Sequence, residues 1–355
     1  MALEEGRNGL GLVQPNPPVG CVIVSPSGDI LGKGAHLQYG GPHAEVNALS
    51  SVVSEDSLKD ATVFVTLEPC AFEGKTPSCA KTLAALPIAK VVYAVQDPNP
   101  KVSGKGAQIL RDAGKEVEEL QDEKLVAECE ALAEVFHWNM KNELPFVALK
   151  AATSQNGSLT PDTDSKWISS EESRKHVHFL RSQYDSVLVG VGTFLDDNPK
   201  LNIRLADGTV RENYAIVLDP SGRGLEKLSD SELMKSRAAD KIIWVVTEKV
   251  DAPEGVQVLK VAKHEEGIDL KALLKRLSEL DITSVFIEGG AKTYGAFLND
   301  KLVNRIYHYT GPMEVSEANM LDWLSYVNGG LIAEGPIDSQ TIGPDKFQSF
   351  LLNRS

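Results

Sequence analysis

Three short groups of residues constrain this chain more than anything else in it: His43-Ala44-Glu45, then Glu68-Pro69-Cys70, then Ser78-Cys79. One imidazole and two thiols can act together only if three separate segments fold onto one point. The donor types suit zinc, and three protein ligands leave its fourth position open for water. Zinc lowers the pKa of such a water towards ~7. Glu45, two residues beyond the imidazole, is then the proton shuttle and not a ligand. The three groups are read at loop-to-helix junctions, with Cys70 and Cys79 near helix starts, where peptide dipoles favour the thiolate. The competing reading is a closed zinc site that braces a loop. It needs a fourth protein ligand, and His36 and Cys21 stand in β-rich contexts without ligand-like spacing. Cys21 and Cys129 read as small buried hydrophobes. Four cysteines in 355 residues are too few for a disulfide framework.

The segments around these groups alternate β-rich runs with helical patterns. VGCVIV (19–24), ATVFVTL (61–67) and KVVYAV (90–95) are strands, and helices open at His43 and after Pro77. That is the rhythm of a three-layer α/β sheet. A single acidic helix from about Asp122 to Lys141 closes this half, and Asn142-Glu143-Leu144-Pro145 marks a border. Domains are expected over 1–144 and 145–355. At 355 residues the chain exceeds the size at which one core keeps growing. The second half restarts the alternation with FVALKAAT (146–153), a helix over Glu171 to Tyr184, SVLVG (186–190), YAIVLD (214–219), KIIWVVT (241–247), a helix near Leu270 to Leu280, SVFIEGG (284–290) and RIYHYT (305–310). The last forty-odd residues carry the weakest pattern, and nothing functional is read from them.

A His-x-Glu followed by Pro-Cys-x-x-Cys is the signature of zinc nucleobase deaminases. This chain matches its first part and its Pro-Cys, but Ala71 to Ser78 separate the two cysteines. The longer insertion CAFEGKTPSC, together with QPNPPVGCVIV, GGPHAEVNAL and QDPNPKVSGKG, resembles the deaminase domain of the bifunctional deaminase/reductase of riboflavin biosynthesis. The resemblance implies a cytidine-deaminase-like α/β/α fold. It also implies that Asn16 hydrogen-bonds the pyrimidine while Lys75, Asp97 and Asn99 hold its sugar and phosphate side. Turn chemistry alone also favours Asn16, Asp97 and Asn99 where they stand. Phe72 replaces a histidine that relatives carry, and the first helix is shorter than usual in the family, either trimmed or preceded by an upstream start.

No G-x-G-x-x-G follows any strand of the second half, so a Rossmann fingerprint is absent. Two strand-to-turn junctions are glycine-rich, VLVGVGT (187–193) and FIEGGAKTYGAFL (286–298), and the second opens a helix whose free N–H groups could cradle phosphate. Along with LKAATSQNG, DSKWISSEESRKHVHFLRSQYDSVLVGVGT and FLDDNPKLNIR, they resemble the reductase domain of the same family, which is similar to dihydrofolate reductase in fold. The resemblance implies that NADPH reduces the ribosylamino group of the deaminated pyrimidine to a ribitylamino group. By it, Lys150 sits near the reacting sugar, Trp167 and Ser169 line the pocket, and Asp197 with Asn198 binds the ribityl chain. Arg181 and Arg204 meet phosphorylated groups, Glu288 closes the site, and Gly289 and Gly290 approach the cofactor phosphate. Ser154 opens a turn that reads Ser154-Gln155-Asn156-Gly157 where the family has Ser-Leu-Asp-Gly, which costs a carboxylate. Plain structural readings stand beside these: Trp167 as a core aromatic, Arg181 as a helix-surface cation, Glu288 as a capping acid. An active deaminase with a degenerate, non-catalytic second domain is the alternative.

Charge narrows the partners. Net charge is −14, from 36 basic and 50 acidic residues, which opposes contact with a polyanionic backbone and argues against a nucleic-acid-editing enzyme. No apolar run approaches the ~20 residues that span a bilayer. The cytoplasm is the expected location, and the family resemblance implies a homo-oligomer.

Overall fold

In a computed structural model of the protein, the described residues are 1–72, 78–100, 102–161, 167–264, 267–316 and 336–352. They form two compact units, Met1–Asn142 and Glu143–Ser355.

The first unit holds strands β1 (Gly20–Val24), β2 (Ile30–Ala35), β3 (Thr62–Leu67), β4 (Lys90–Val95) and β5 (Glu116–Glu119). Its helices are α1 (Ala2–Arg7), α2 (Ala44–Ser50), α3 (Cys79–Ala84), α4 (Lys105–Asp112), α5 (Glu123–Leu132) and α6 (Glu134–Lys141). The sheet order is β2-β1-β3-β4-β5. β1 runs antiparallel to both of its neighbours, and β3, β4 and β5 are parallel. Near-continuous burial along β1 and β4 is what helices on both faces require. The acidic helix expected over 122–141 is two helices, broken at Ala133, whose φ of −109° and ψ of 22° leave the helical range. No proline or glycine marks the break, so the sequence reads through it.

The second unit contains β6 (Phe146–Thr153), α7 (Glu171–Arg181), β7 (Ser186–Gly190), α8 (Val191–Asp197), β8 (Ile203–Arg204), β9 (Val210–Arg211) and β10 (Tyr214–Leu218). There follow α9 (Leu225–Leu228), α10 (Glu232–Lys235), β11 (Ile242–Val246), β12 (Gln257–Lys260), β13 (Lys263–His264), β14 (Gly267–Ile268) and α11 (Leu270–Ser278). β15 (Ser284–Ile287), α12 (Ala291–Asn299), β16 (Arg305–Thr310), β17 (Asp338–Ile342) and β18 (Asp345–Leu351) complete it. Nine strands form one sheet in the order β12-β11-β10-β7-β15-β6-β16-β18-β17. It is parallel from β12 to β16 and antiparallel beyond. Alternation along each strand feeds two cores. Val187, Val189, Trp244 and Val246 pack on one face and Leu188, Ile243 and Val245 on the other, the latter with Leu273, Leu277 and Phe297. The weakly patterned tail thus supplies the last two strands of the sheet. Its β17 alternates too little to be read, since four of its five residues are exposed.

Gly106, on α4, tests the packing of the first unit. A Cβ there would lie 1.9 Å from the Pro69 carbonyl oxygen, a distance that rigid backbone cannot accommodate. Gly106→Ala is expected to destabilise the unit by about 2 kcal/mol or more, read as a lower thermal midpoint. An unchanged midpoint would contradict this approach of α4 to the cysteine loop.

Candidate active sites

His43 is the residue before α2 and Cys79 is the first of α3. Cys70 does not open a helix; it lies in the loop after β3 and reaches the start of α3 twice, its sulfur accepting from Cys79 N at 3.3 Å and its carbonyl from Ala80 N at 3.2 Å. His43 Nδ1 is 3.6 Å from Cys70 Sγ and 3.4 Å from Cys79 Sγ. All three donor atoms lie within 4.8 Å of one another. A tetrahedral zinc with Zn–N and Zn–S bonds of about 2.0 and 2.3 Å separates its ligand atoms by about 3.6 Å, so the set fits such an ion. Among the described residues no fourth ligand joins it. His36 has both ring nitrogens engaged elsewhere: Nδ1–H donates to the Pro42 carbonyl at 2.9 Å, which leaves Nε2 to accept from Asn16 Nδ2 at 3.2 Å. The hydrogen bond from the Cys79 thiol, with His43 beside it, pushes Cys70 down to about 4.

A pocket of about 150 Å³ opens on this group, lined by Asn16, His36, His43, Glu45, Cys70 and Asp97 together with Pro17, Val19, Leu67, Glu68 and Phe136. Burial raises the Glu45 carboxyl above its ordinary range, which suits a group that must hold a proton as well as give it up. Asp97 caps its own turn, accepting from Asn99 N at 2.9 Å, and burial raises its pKa. Asn99 does not line the pocket, and Lys75 lies outside the described residues. Phe72, where relatives carry histidine, is largely exposed.

The sequence reading passed over Glu68 as a mere flank of the Pro-Cys pair. Its buried carboxylate accepts from three backbone amides, Asp97 at 3.2 Å, Gly104 at 2.9 Å and Ala107 at 3.0 Å. One side chain thereby ties the cysteine loop to the Asp97 turn and to the start of α4. His36, weighed in the sequence only as a fourth metal ligand, and Phe136, not singled out there, also line the pocket.

In the second unit Arg181 is buried, not a surface cation. Its Nε and Nη2 donate to the two Glu288 oxygens at 2.7 and 2.9 Å, and its Nη1 to the Asn202 carbonyl. Burial alone would raise Glu288, but the Arg181 charge and hydrogen bonds outweigh it and hold the carboxyl below its usual range. Lys150 lies on the face of β6 opposite Val147, Leu149 and Ala151. Its ammonium stands 5.8 Å from the centre of the Tyr309 ring, and Tyr294 on α12 donates to its carbonyl at 2.6 Å. Burial lowers the Lys150 pKa, while the Glu288 charge raises it. Arg204 bonds Asn202 Oδ1 at 2.6 Å, and Arg181 and Glu288 both bear on its charge. Arg174 reaches the Ser169 carbonyl at 2.6 Å and lies 5.0 Å from the Trp167 ring; Trp167 is 53 % exposed and not a core aromatic. Ser154 Oγ is absorbed in its own turn, accepting from Ser158 N at 2.9 Å and donating to Asn156 Oδ1 at 2.7 Å. Asn156 in turn donates to the Val315 carbonyl at 2.6 Å and accepts from Val315 N at 3.1 Å. A carboxylate could make only the second of those bonds, so the asparagine has its own structural use. Asp197 ends α8, and Asn198 spends its side-chain oxygen on Glu232 N at 2.9 Å, at φ 43°.

A cleft of about 740 Å³ lies at the ends of the parallel strands β7, β10 and β15. Gly190, Gly192 and Thr193 line it on one side, Ser221 and Arg223 on another, and Gly290, Lys292 and Thr293 on a third. The ends of parallel strands are where open α/β sheets take ligands. Gly289 does not line it, and a Cβ there would press on Thr293 at 2.8 Å.

Two family models match the chain: the cytidine and deoxycytidylate deaminase zinc-binding region over residues 1–95, and the RibD C-terminal domain over residues 145–320. Among curated proteins, riboflavin biosynthesis protein RibD of Aquifex aeolicus is 38% identical over 322 residues, which is 89% of this chain and 86% of that protein. The RibD protein of Escherichia coli is 33% identical over 326 residues, 88% of this chain and 86% of its own. Among solved structures, the diaminohydroxyphosphoribosylaminopyrimidine deaminase/5-amino-6-(5-phosphoribosylamino)uracil reductase of Thermotoga maritima aligns with a TM-score of 0.84 at 33% identity, covering 99% of this chain and 97% of that one. Acinetobacter baumannii RibD aligns at 0.83 and 32% identity with the same coverage.

Two outcomes follow from the second unit. Arg181→Ala strands a buried carboxylate and is expected to cost about 3–5 kcal/mol, with Arg181→Lys losing less; equal midpoints for all three proteins would contradict the paired geometry. His308 Nε2 is 2.9 Å from Thr153 Oγ1, and burial, with Lys150 and Lys346 nearby, pushes this histidine down to about 4. Its folded pKa is below the unfolded value of about 6.5. The unfolded chain therefore takes up the proton first, and stability falls as pH drops from about 6.5 to about 4. Denaturant melts across that window should show a shallower acid loss in His308→Gln; identical slopes would contradict the assignment.

Proposed function

The chain belongs to the family of RibD riboflavin-biosynthesis proteins, and from that premise we propose how its residues divide the family's two reactions. It is a bifunctional enzyme, a zinc-dependent deaminase joined to an NADPH-dependent reductase. A deaminase with a silent second domain is not favoured. The substrate class is a phosphorylated ribosylaminopyrimidine.

The convergence of His43, Cys70 and Cys79 beside buried Glu45 carries the deaminase half of the reading. Zinc, when held by these three residues, supplies a polarised water as nucleophile. Glu45 takes a proton from the attacking water and delivers protons to the exocyclic nitrogen, so that the ring carbon gains an oxygen and ammonia leaves. Its raised pKa matches both duties. Asn16 reads the pyrimidine edge. His36 claims its amide nitrogen, which leaves the amide oxygen to accept from the ring. Asp97, Asn99 and Lys75 are assigned to the sugar and phosphate side.

In the second unit NADPH, when bound in the cleft at the ends of β7, β10 and β15, would supply hydride to C1′ of the ring-opened imine, whose nitrogen takes up a proton from water. Gly290 allows the close approach of cofactor phosphate at the start of α12, with Gly289 shaping the same turn. Lys150 hydrogen-bonds the reacting end of the sugar, and Glu288, locked by Arg181, orients it. Asp197 and Arg204 hold the chain and its phosphate. Trp167, Ser169 and Ser154 wall the pocket, while Asn198 serves through the backbone turn it caps. A cytoplasmic homo-oligomer is the expected form. No helix among the described residues is long and apolar enough to cross a membrane.

Glu45→Gln separates the halves. It should keep about one zinc per chain, lose ammonia release by about 10²–10⁴-fold, and reduce the deaminated intermediate with NADPH at the wild-type rate. Zinc lost together with deamination would make Glu45 part of the metal site and contradict its role as the proton shuttle.

A further inference from the structure

The Arg181–Glu288 pair leans on a residue outside the set assigned to either reaction. Asn202 is buried, and it accepts from two guanidinium groups at once. Its carbonyl takes Nη1 of Arg181, and its side-chain Oδ1 takes Nη1 of Arg204 at 2.6 Å. Leu201, the residue before it, is packed in the core at φ 54°, a left-handed backbone that a leucine keeps only where its surroundings impose it. Arg204 is held a second time, because its backbone N–H donates to His178 Nδ1 at 3.2 Å.

The charges around Asn202 do not balance. Both Glu288 oxygens are taken by Arg181, and among the described residues no carboxylate pairs with Arg204, which is exposed. Arg204 therefore keeps a full positive charge beside a pair that is already neutral. Two guanidinium groups on one small residue repel each other, and neutral oxygens alone hold them there; an anion on Arg204 removes that repulsion. Neither Asn202 nor Arg204 lines the cleft at the ends of β7, β10 and β15, so that anion belongs to the substrate and not to the cofactor.

We infer that Asn202 is a positioning residue for the reductase substrate: its side-chain oxygen aims the Arg204 guanidinium at the substrate phosphate, while its carbonyl fastens the same residue to the Arg181–Glu288 pair. This deepens the reductase reading and rests on the assignment of Arg204 to the phosphate. A free arginine loses much rotamer freedom when it meets an anion, and a side chain already held by Asn202 loses less. The bond to Arg181 comes from the backbone, so it survives any substitution at position 202. Side-chain variants there isolate the aiming of Arg204.

The test follows NADPH oxidation by the full chain with the deaminated substrate, with and without its 5′-phosphate, for wild type, Asn202→Ala, Arg204→Ala and the double variant. A wild type that oxidises no NADPH would sink the reductase reading itself, and an unchanged phosphate preference in Arg204→Ala would sink the assignment of Arg204, each taking the inference with it. Asn202→Ala should raise KM for the phosphorylated substrate about tenfold with kcat little changed, and so lower the preference for phosphate by the same factor. In the Arg204→Ala background it should lower that preference no further. Additive losses, equal losses on both substrates, or a raised KM for NADPH overturn the inference. Asn202→Asp keeps an oxygen for the guanidinium in nearly the same shape but sets a negative charge against the phosphate, and it should lose the preference at least as far. Failure of both variants to fold would make Asn202 a structural link alone and overturns the inference as well.

Discussion

Two sulfurs and an imidazole nitrogen brought within 4.8 Å of one another repel unless a proton or cation sits among them. The first unit is organised to impose that crowding. His43, Cys70 and Cys79 come from the start of α2, the loop after β3 and the start of α3, and a parallel sheet delivers such chain ends to one edge. Glu68 fastens the arrangement. Its three backbone hydrogen bonds tie the cysteine loop to the turn that carries Asp97 and to the start of α4. One buried carboxylate thus fixes the Cys70 loop relative to the turn of Asp97.

In the second unit the organising element is alternation. Val147, Leu149 and Ala151 go to one core, which turns Lys150 to the opposite face. There it meets Tyr309, α7 and the Arg181–Glu288 pair. Burial lowers the pKa of this ammonium, and the Glu288 charge opposes that shift in part. The ion pair has a second consequence, since a carboxylate held by a two-pronged guanidinium has little freedom to turn. The site is preorganised by charges that are themselves buried.

Much of this was legible in the sequence. The strands at Lys90–Val95, Phe146–Thr153, Ser186–Gly190 and Arg305–Thr310 match their expected bounds, because β-branched runs between turn residues leave few alternatives. The convergence of His43, Cys70 and Cys79 was legible because one imidazole and two thiols in this order have few other uses. What stayed hidden depended on contacts distant in sequence. Glu68 looks like a flank until the amides of Asp97, Gly104 and Ala107 are seen to converge on it. Asn156 looks like the loss of a carboxylate until Val315 supplies a donor and an acceptor to its amide. Asp345 stands in a tail with little periodicity, where β17 is mostly exposed, and its bonds from Ser170 N and Oγ show only once β18 has paired with β16. The break at Ala133 had no proline or glycine to announce it.

The most direct test of two linked reactions in one chain is a single-cuvette assay on zinc-quantified protein. Diaminopyrimidinone ribosyl phosphate is supplied with NADPH, and ammonia and NADPH oxidation are followed together. The account predicts one ammonia released for each NADPH consumed, with ammonia appearing first. Ammonia without NADPH oxidation would contradict the assignment of Lys150, Arg181 and Glu288 to a working reductase site. Neither signal from protein that holds its zinc would contradict the substrate itself.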